Sequence, residues 1–76
     1  MNAQTVGQLV CLRRSLPFDF GVTFVETSHG LGTRGHMVQR DALLVYLGDY
    51  DKSYSYYFVN ITGSIVISLR GNFEPL

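Results

Sequence analysis

Three short apolar runs in the second half of the chain constrain the fold more than any other feature of the sequence. They cover residues 42–47, Tyr54–Val59 and Ser64–Leu69, and they are rich in β-branched and aromatic residues. Segments of turn-forming residues separate them, which is the pattern of β-strands joined by tight turns. Gly63, in the second of these segments, can adopt the positive φ that a tight hairpin turn needs. The pattern predicts a three-stranded antiparallel meander.

The first half of the chain predicts shorter and less regular strands. Residues 9–12 form one apolar run, and residues 22–26 form a second within a longer, irregular segment. Residues 28–35 hold three glycines together with serine, threonine and histidine, so we expect a loop there. After the meander, residues 70–72 predict a turn or one 3₁₀ turn, and residues 73–76 predict a short closing strand. Sustained helical spacing with caps is absent from the sequence, so we expect an all-β fold.

Length and composition limit what such a chain does. Its 76 residues suffice for one domain, residues 1–76. A chain of this size buries only about 60% of its unfolded surface, which leaves little stability to support a strained catalytic site. The sequence is 46% hydrophobic and only 16% charged, so we expect part of its apolar surface to lie in an interface.

Charge and cysteine content bear on partners and location. Six basic residues balance six acidic residues, whereas proteins that bind nucleic acid usually carry a basic surplus. Cys11 is the only cysteine, which excludes an intramolecular disulfide and suits the reducing interior of a cell. The N-terminal residues match neither a signal peptide nor a membrane span. We therefore expect a cytoplasmic protein without a membrane partner.

The motifs that suggest chemistry lack the context that the chemistry needs. Residues 30–35 match the letters G-x-G-x-x-G, but the few residues before the next strand cannot supply the helix of a dinucleotide site. His29 and His36 have no further ligands at zinc-site spacing. Cys11 lies in an apolar strand, which predicts a buried side chain and not a nucleophile. We expect no catalytic residues, metal, cofactor or small-molecule substrate.

The order of the predicted elements resembles that of small SH3-like β-barrels. These have a first strand, a long open hairpin, a three-stranded meander, a 3₁₀ turn and a short last strand. The Val-Tyr-Leu-Gly sequence at residues 45–48 and the Glu-Pro-Leu at residues 74–76 are also similar to small SH3-like proteins of bacteriophages. The resemblance implies an SH3-like barrel of about five strands, located in the interior of a host cell or in a virion. It implies no single activity.

Aromatic residues are concentrated in the meander and give the chief indication of function. Six of them lie within residues 46–58. Because side chains alternate between faces along a strand, Tyr54, Tyr56 and Phe58 share one face, and Tyr57 and Val59 share the other. Both faces of the meander are therefore partly apolar, although a small barrel has only one interior.

We expect one face to form the barrel interior and the other to form a contact surface. The residues predicted to lie inside are Val45, Phe58, Ile65, Ile67 and Leu69. Leu44, Tyr46 and Tyr57 then point outward, and we predict that they form a contact patch for a protein, because tyrosine is enriched in interfaces. A second contact element is predicted around the loop at residues 28–35, with the side chains His29, Arg34 and His36.

Three interpretations of outward tyrosines stay open: ordinary surface residues, a protein–protein interface, and a platform on which bases stack. The interface is favoured, so we expect a non-enzymatic interaction module that self-assembles or docks on a virion or host protein. The alternative is a nucleic-acid-binding module that uses these tyrosines together with Arg13, Arg14, Arg34 and Arg40. Asp49 and Asp51, next to the aromatic residues, give the wrong charge for that alternative.

Overall fold

Antiparallel β-strands make up most of residues 4–76, the part of the chain that the computed structural model describes; the side chains of residues 33–36 lie outside this part. The strands are β1 (Leu9–Leu12), β2 (Phe20–Thr27), β3 (Gly30–Gln39), β4 (Leu44–Asp49), β5 (Tyr54–Val59), β6 (Ser64–Leu69) and β7 (Phe73–Pro75). A 3₁₀ helix, η1 (Arg70–Asn72), joins β6 to β7. The predicted all-β class is confirmed.

The seven described strands form one antiparallel sheet in the order β3-β2-β6-β5-β4-β1-β7. Strands β4, β5 and β6 are consecutive neighbours and make the predicted meander. Strands β3 and β7 are the two edges, so the described sheet stays open and has more strands than the five-stranded barrel that the resemblance implies. Strand β1 pairs with both β4 and β7, which places the N-terminal and C-terminal strands side by side.

A long β2–β3 hairpin takes the place of the loop predicted at residues 28–35. Strand β3 begins at Gly30, directly after a two-residue turn. A Cβ atom on Gly32 would come within 2.3 Å of Cγ2 of Thr27. Glycine within this strand therefore permits close approach of the neighbouring strand, and the glycine-rich composition does not mark a loop here.

The core lies on one side of the sheet, the inner face. The buried residues of its cluster are Val10, Leu12, Val38, Leu44, Tyr46, Tyr57, Val59, Val66 and Phe73. The sheet curls so that its two ends meet across this core. A Cβ atom on Gly21 in β2 would lie 3.2 Å from Cδ1 of Leu12 in β1 and 3.7 Å from Cζ of Phe73 in β7. Strands β1 and β7 therefore provide the second layer over the inner face.

The prediction of which side of the meander faces inward is wrong. Leu44 and Tyr57 are fully buried and Tyr46 is 6% exposed, whereas Ile65 and Leu69 are 61% and 39% exposed, and of the residues predicted to lie inside only Ile67 is buried. Strands β1 and β7 cover the side that carries the first three residues. Alternation along the meander cannot reveal this arrangement, because both of its sides are apolar and the covering strands are distant in sequence.

Candidate functional site

The side of the sheet opposite the core, the outer face, carries apolar and aromatic side chains on four neighbouring strands. They are Phe20, Val22 and Phe24 of β2, Ile65, Ile67 and Leu69 of β6, Tyr54, Tyr56 and Phe58 of β5, and Val45 of β4. The strand register aligns them in rows across the sheet. One row runs through Phe24, Ile67 and Tyr56, and another joins Ile65, Phe58 and Val45.

Strand β2 reverses the pattern of a strand with one solvated face. Its outer positions are Phe20, Val22 and Phe24, whereas Gly21 and Thr23 are the buried inner positions. In a strand with one wet face, the apolar residues normally point to the core. A strand with large apolar residues outward and small residues inward is typical of an element that packs on both sides.

A groove of about 360 Å³, here named the aromatic groove, lies on the outer face. Its lining residues are Phe18, Phe20, Val22, Phe24, Tyr54, Leu69 and Asn72. The rings of Phe24 and Tyr54 meet edge to face with their centroids 6.0 Å apart. Phe18 and Phe20 are 41% and 46% exposed. The groove is thus a concave, largely aromatic surface that is open to a ligand or partner.

The surface next to the groove is closely packed and therefore preformed. Ile67 is only 1% exposed although it lies on the outer face, where Phe24 and Tyr56 are its neighbours on either side. The ring of Tyr50 meets that of Tyr56 edge to face at 5.6 Å. The Tyr56 hydroxyl donates a hydrogen bond to the Glu26 carboxylate at 2.9 Å, and this bond raises the pKa of Tyr56.

The middle of the outer face is uncharged. Strands β5 and β6, with the sequences YSYYFV and SIVISL, contain no charged residue. Lys52 lies in the β4–β5 turn, and Glu26 lies beside this uncharged centre on β2, where its carboxylate accepts the hydrogen bond of Tyr56. An uncharged centre with aromatic residues and a polar rim is the composition of a protein–protein interface.

Polar groups at one end of the inner face form a network around Arg70. Its Nε donates to Oγ of Ser55 at 2.8 Å and lies 3.1 Å from Oδ1 of Asp49. Its terminal nitrogens donate to three backbone carbonyl oxygens in and beside the β4–β5 turn. The Tyr46 hydroxyl donates to the Asp49 carboxylate, and this bond is the main cause of an Asp49 pKa below its ordinary value. The network fixes the turn.

The environment of Tyr57 explains why Leu44, Tyr46 and Tyr57 do not form a contact patch. The Tyr57 ring packs against Phe73 and Tyr46, with centroid distances of 4.7 and 5.8 Å. Its hydroxyl donates to Oε1 of Gln4 at 2.7 Å, so the polar tip is satisfied, and burial raises the pKa of Tyr57. The three side chains stabilise the core and are inaccessible to a partner.

The second predicted contact element is described only in part. His29 is exposed in the β2–β3 turn, where its backbone N–H donates to Oγ1 of Thr27 at 3.2 Å. The side chains of Arg34 and His36 lie outside the described residues. Residues 30–35 belong to β3, so their glycines do not begin the helix that a dinucleotide site needs.

The arginines of the nucleic-acid alternative make contacts within the chain. Arg14 pairs with Glu74 at 3.1 Å, and Arg40 pairs with Asp19 at 3.3 Å. The Arg40 guanidinium also donates to several backbone carbonyl oxygens, as Nε of Arg13 does to one. These intramolecular contacts occupy N–H donors of the three guanidinium groups, so fewer donors remain for contacts with a phosphate backbone.

A reactive cysteine, a cluster of metal ligands or a membrane-spanning helix would point to other kinds of function. Cys11 is buried in β1, as predicted. Across residues 4–76, His, Cys, Asp and Glu side chains with described positions form no group that could hold a metal ion. A helix long and apolar enough to cross a membrane is likewise not found in that part of the chain.

Comparison with known protein families, curated proteins and solved structures finds no match.

Sequence reasoning missed the aromatic groove, although the sequence contains a signal for it. Phe18, Phe20, Val22 and Phe24 recur at every second position, which is the period of one face of a strand. Large apolar residues at this spacing, alternating with Gly21 and other small or polar residues, identify one apolar face. The register of the whole sheet is needed to show that this face points away from the core.

Proposed function

We propose that this chain is a non-enzymatic protein-interaction module and that its contact surface is the outer face with the aromatic groove. One observation carries the proposal: Phe20, Ile65 and Leu69 are 46%, 61% and 39% exposed on a single face whose centre is uncharged. Exposed apolar surface costs about 25 cal/mol per Å² relative to its burial. Contiguous surface of this kind marks interaction sites in soluble proteins.

The partner of such a face is a protein that offers an apolar surface of its own. Aromatic side chains supply large, rigid contact area and dominate the energetic centres of protein interfaces. In the location that the resemblance to SH3-like phage proteins implies, this partner is a component of a virion or a protein of a host cell. In either setting, the module acts by holding a partner.

Capture experiments with matched variants test the contact surface. The tagged wild-type chain, Ile65→Asp and Ile61→Asp are each used to recover binding proteins, including untagged copies of the chain, from cells that express it. Both isoleucines are exposed, 61% and 84%, but Ile61 lies beyond the end of β5 and outside the outer face. We expect one protein to bind stoichiometrically to the wild type and to Ile61→Asp, and to be lost with Ile65→Asp.

Circular dichroism establishes that each captured variant is folded. Equal recovery of the same proteins by all three chains would contradict the assignment of the surface. A wild-type chain that holds no stoichiometric partner would contradict the proposed function itself.

A further inference from the structure

We propose that the partner presents a peptide segment in which an apolar side chain and a carboxylate lie close together in sequence. The apolar side chain occupies the aromatic groove, and the carboxylate binds in a basic pocket that adjoins the groove. This inference rests on the proposed function and specifies the chemistry of its partner. It is supported by the position of the pocket, by its unpaired cations and by the contacts of the acidic residues around it.

A pocket of about 500 Å³, here named the basic pocket, lies beside η1. Its lining includes Arg13, Lys52 and Ser53. The Arg13 N–H donates to the carbonyl oxygen of Asn72 at 2.8 Å, and the Arg70 N–H donates to that of Ser53 at 2.8 Å. Backbone hydrogen bonds at both ends of η1 therefore hold Arg13 and the β4–β5 turn on two sides of the same cavity.

The basic pocket and the aromatic groove are adjacent, because Leu69 and Asn72 line both. A ligand that spans the two meets aromatic side chains at one end and positive charge at the other. Successive residues of an extended peptide rise about 3.3 Å, so an apolar side chain and a carboxylate within about two residues of each other reach both sites together. The charge distinguishes this partner from other apolar partners, because electrostatic complementarity fixes the register of an interface and suppresses wrong partners.

Two cations of the basic pocket keep donors for a partner. The Lys52 side chain makes no ion pair or hydrogen bond with the described part of the chain. Arg13 donates from Nε to the carbonyl oxygen of Gly71 at 2.9 Å, and both of its terminal nitrogens lack an acceptor among the described residues. A guanidinium with free terminal nitrogens suits a carboxylate, and a neighbouring ammonium adds further charge.

The acidic residues at the β4–β5 turn are engaged within the chain. Asp49 pairs with Arg70 at 3.1 Å, so these two charges compensate each other. The Asp51 carboxylate accepts two backbone N–H groups in and beside the turn, at 2.9 and 2.8 Å. Among the described residues, no carboxylate lines the basic pocket. The positive charge that a partner meets there therefore comes from Arg13 and Lys52.

A protein carboxylate fits this arrangement better than the backbone of a nucleic acid. A phosphate backbone repeats its charge along its length and is bound by several cations. Arg14 and Arg40, which lie close to Arg13, already pair with carboxylates of the chain. Glu26, on the outer face, would repel a phosphate chain that followed the aromatic rows. A peptide with one carboxylate keeps its charge in the basic pocket.

Selection from a display library of random dodecapeptides tests this inference. We expect the wild-type chain to enrich peptides in which an aromatic or aliphatic side chain lies close to an aspartate or glutamate. With Lys52→Glu, we expect the acidic preference to be lost and the apolar preference to remain. Arg14→Glu is the matched control, because it changes the net charge equally at a side chain that is 71% exposed and outside the pocket. It should keep both preferences.

Titration calorimetry with one enriched peptide gives the magnitude. Its dissociation constant should rise about 10-fold with Lys52→Glu, because the reversal removes an exposed attraction and adds a repulsion, each worth up to about fivefold. Phe20→Asp, at the aromatic groove, should prevent enrichment of the same peptides. Arg13→Glu is a second variant of the pocket, which keeps the test usable if Lys52→Glu does not fold. Circular dichroism identifies the folded variants.

A wild type that enriches no peptide, or that enriches apolar peptides without an acidic preference, would overturn the inference. So would an acidic preference that survives both Lys52→Glu and Arg13→Glu, or one that Arg14→Glu also removes. An oligothymidylate that binds more tightly than any enriched peptide, and is lost with Lys52→Glu, would assign the pocket to phosphate instead. Capture of a protein that is lost with Ile65→Asp does not depend on these results, so the proposed function then stands without this inference.

Discussion

Arg70, the first residue of η1, holds the β4–β5 turn through its side chain. Its guanidinium donates to Ser55 and to three backbone carbonyl oxygens at distances of 2.7–3.1 Å, and it also pairs with Asp49. A planar guanidinium presents five donors in a fixed fork, whereas the ammonium of lysine is a point charge with three donors. Both residue types carry the same charge, so exchanging them separates geometry from charge.

We predict that Arg70→Lys lowers the free energy of unfolding by about 1–3 kcal/mol, because acceptors in and beside the turn lose their partners. Urea denaturation followed by tyrosine fluorescence measures the change. Arg14→Lys is the matched control, since the Arg14 side chain is 71% exposed and its pair with Glu74 belongs to a class that contributes about 0–1 kcal/mol. Equal losses in the two variants would show that the network around Arg70 does not stabilise the turn.

The amphipathic character of tyrosine explains why Tyr46 and Tyr57 are predicted to point outward although they lie in the core. An amphipathic side chain suits both an interface and a core that satisfies its hydroxyl. Tyr57 lies in the core because Gln4, 53 residues away in sequence, accepts its hydrogen bond. Tyr46 finds a nearer acceptor in Asp49. The residues near Tyr57 in sequence give no indication that Gln4 is its partner. The sequence alone therefore predicts the wrong face of the sheet for both tyrosines.

The elements of the sheet differ in how far the sequence predicts them. Strands β5 and β6 have the predicted bounds, because turn-forming residues bracket two apolar runs on both sides. Strand β3 is missed because Gly32 allows Thr27 to approach closely. Glycine content alone does not distinguish a strand with such a contact from a loop. Which side chains of each strand point to the core depends on β1 and β7, whose pairing joins distant parts of the chain.

The β5–β6 turn gives a prediction for a single element. Gly63 has a φ of 69°, in the left-handed region that costs residues with a Cβ atom about 1–2 kcal/mol. We therefore expect Gly63→Ala to lower the free energy of unfolding by about 1 kcal/mol, measured by urea denaturation. Gly71 has open space around its Cα and no positive φ, so Gly71→Ala should change stability by less than about 0.5 kcal/mol. Similar losses in both variants would contradict a conformational requirement at Gly63.

The whole molecule has two apolar faces and one internal covering layer. Strands β1 and β7 close the inner face around Leu44 and Tyr57, and the described part of the chain leaves the outer face open around Ile65. The all-β class and the meander follow from local patterns. The contact surface does not, because its location depends on which apolar face the ends of the chain cover.

Isoleucine methyl resonances recorded while the captured partner protein is added test most directly the claim that the outer face is the contact surface. The chain contains three isoleucines: Ile65 and Ile67 on the outer face, and Ile61 in the turn between β5 and β6. We predict that partner binding shifts the Ile65 methyl resonances most strongly and those of Ile67 next, while those of Ile61 stay unchanged. Ile65 resonances that do not move when the partner binds, or a change centred on Ile61, would contradict the claim.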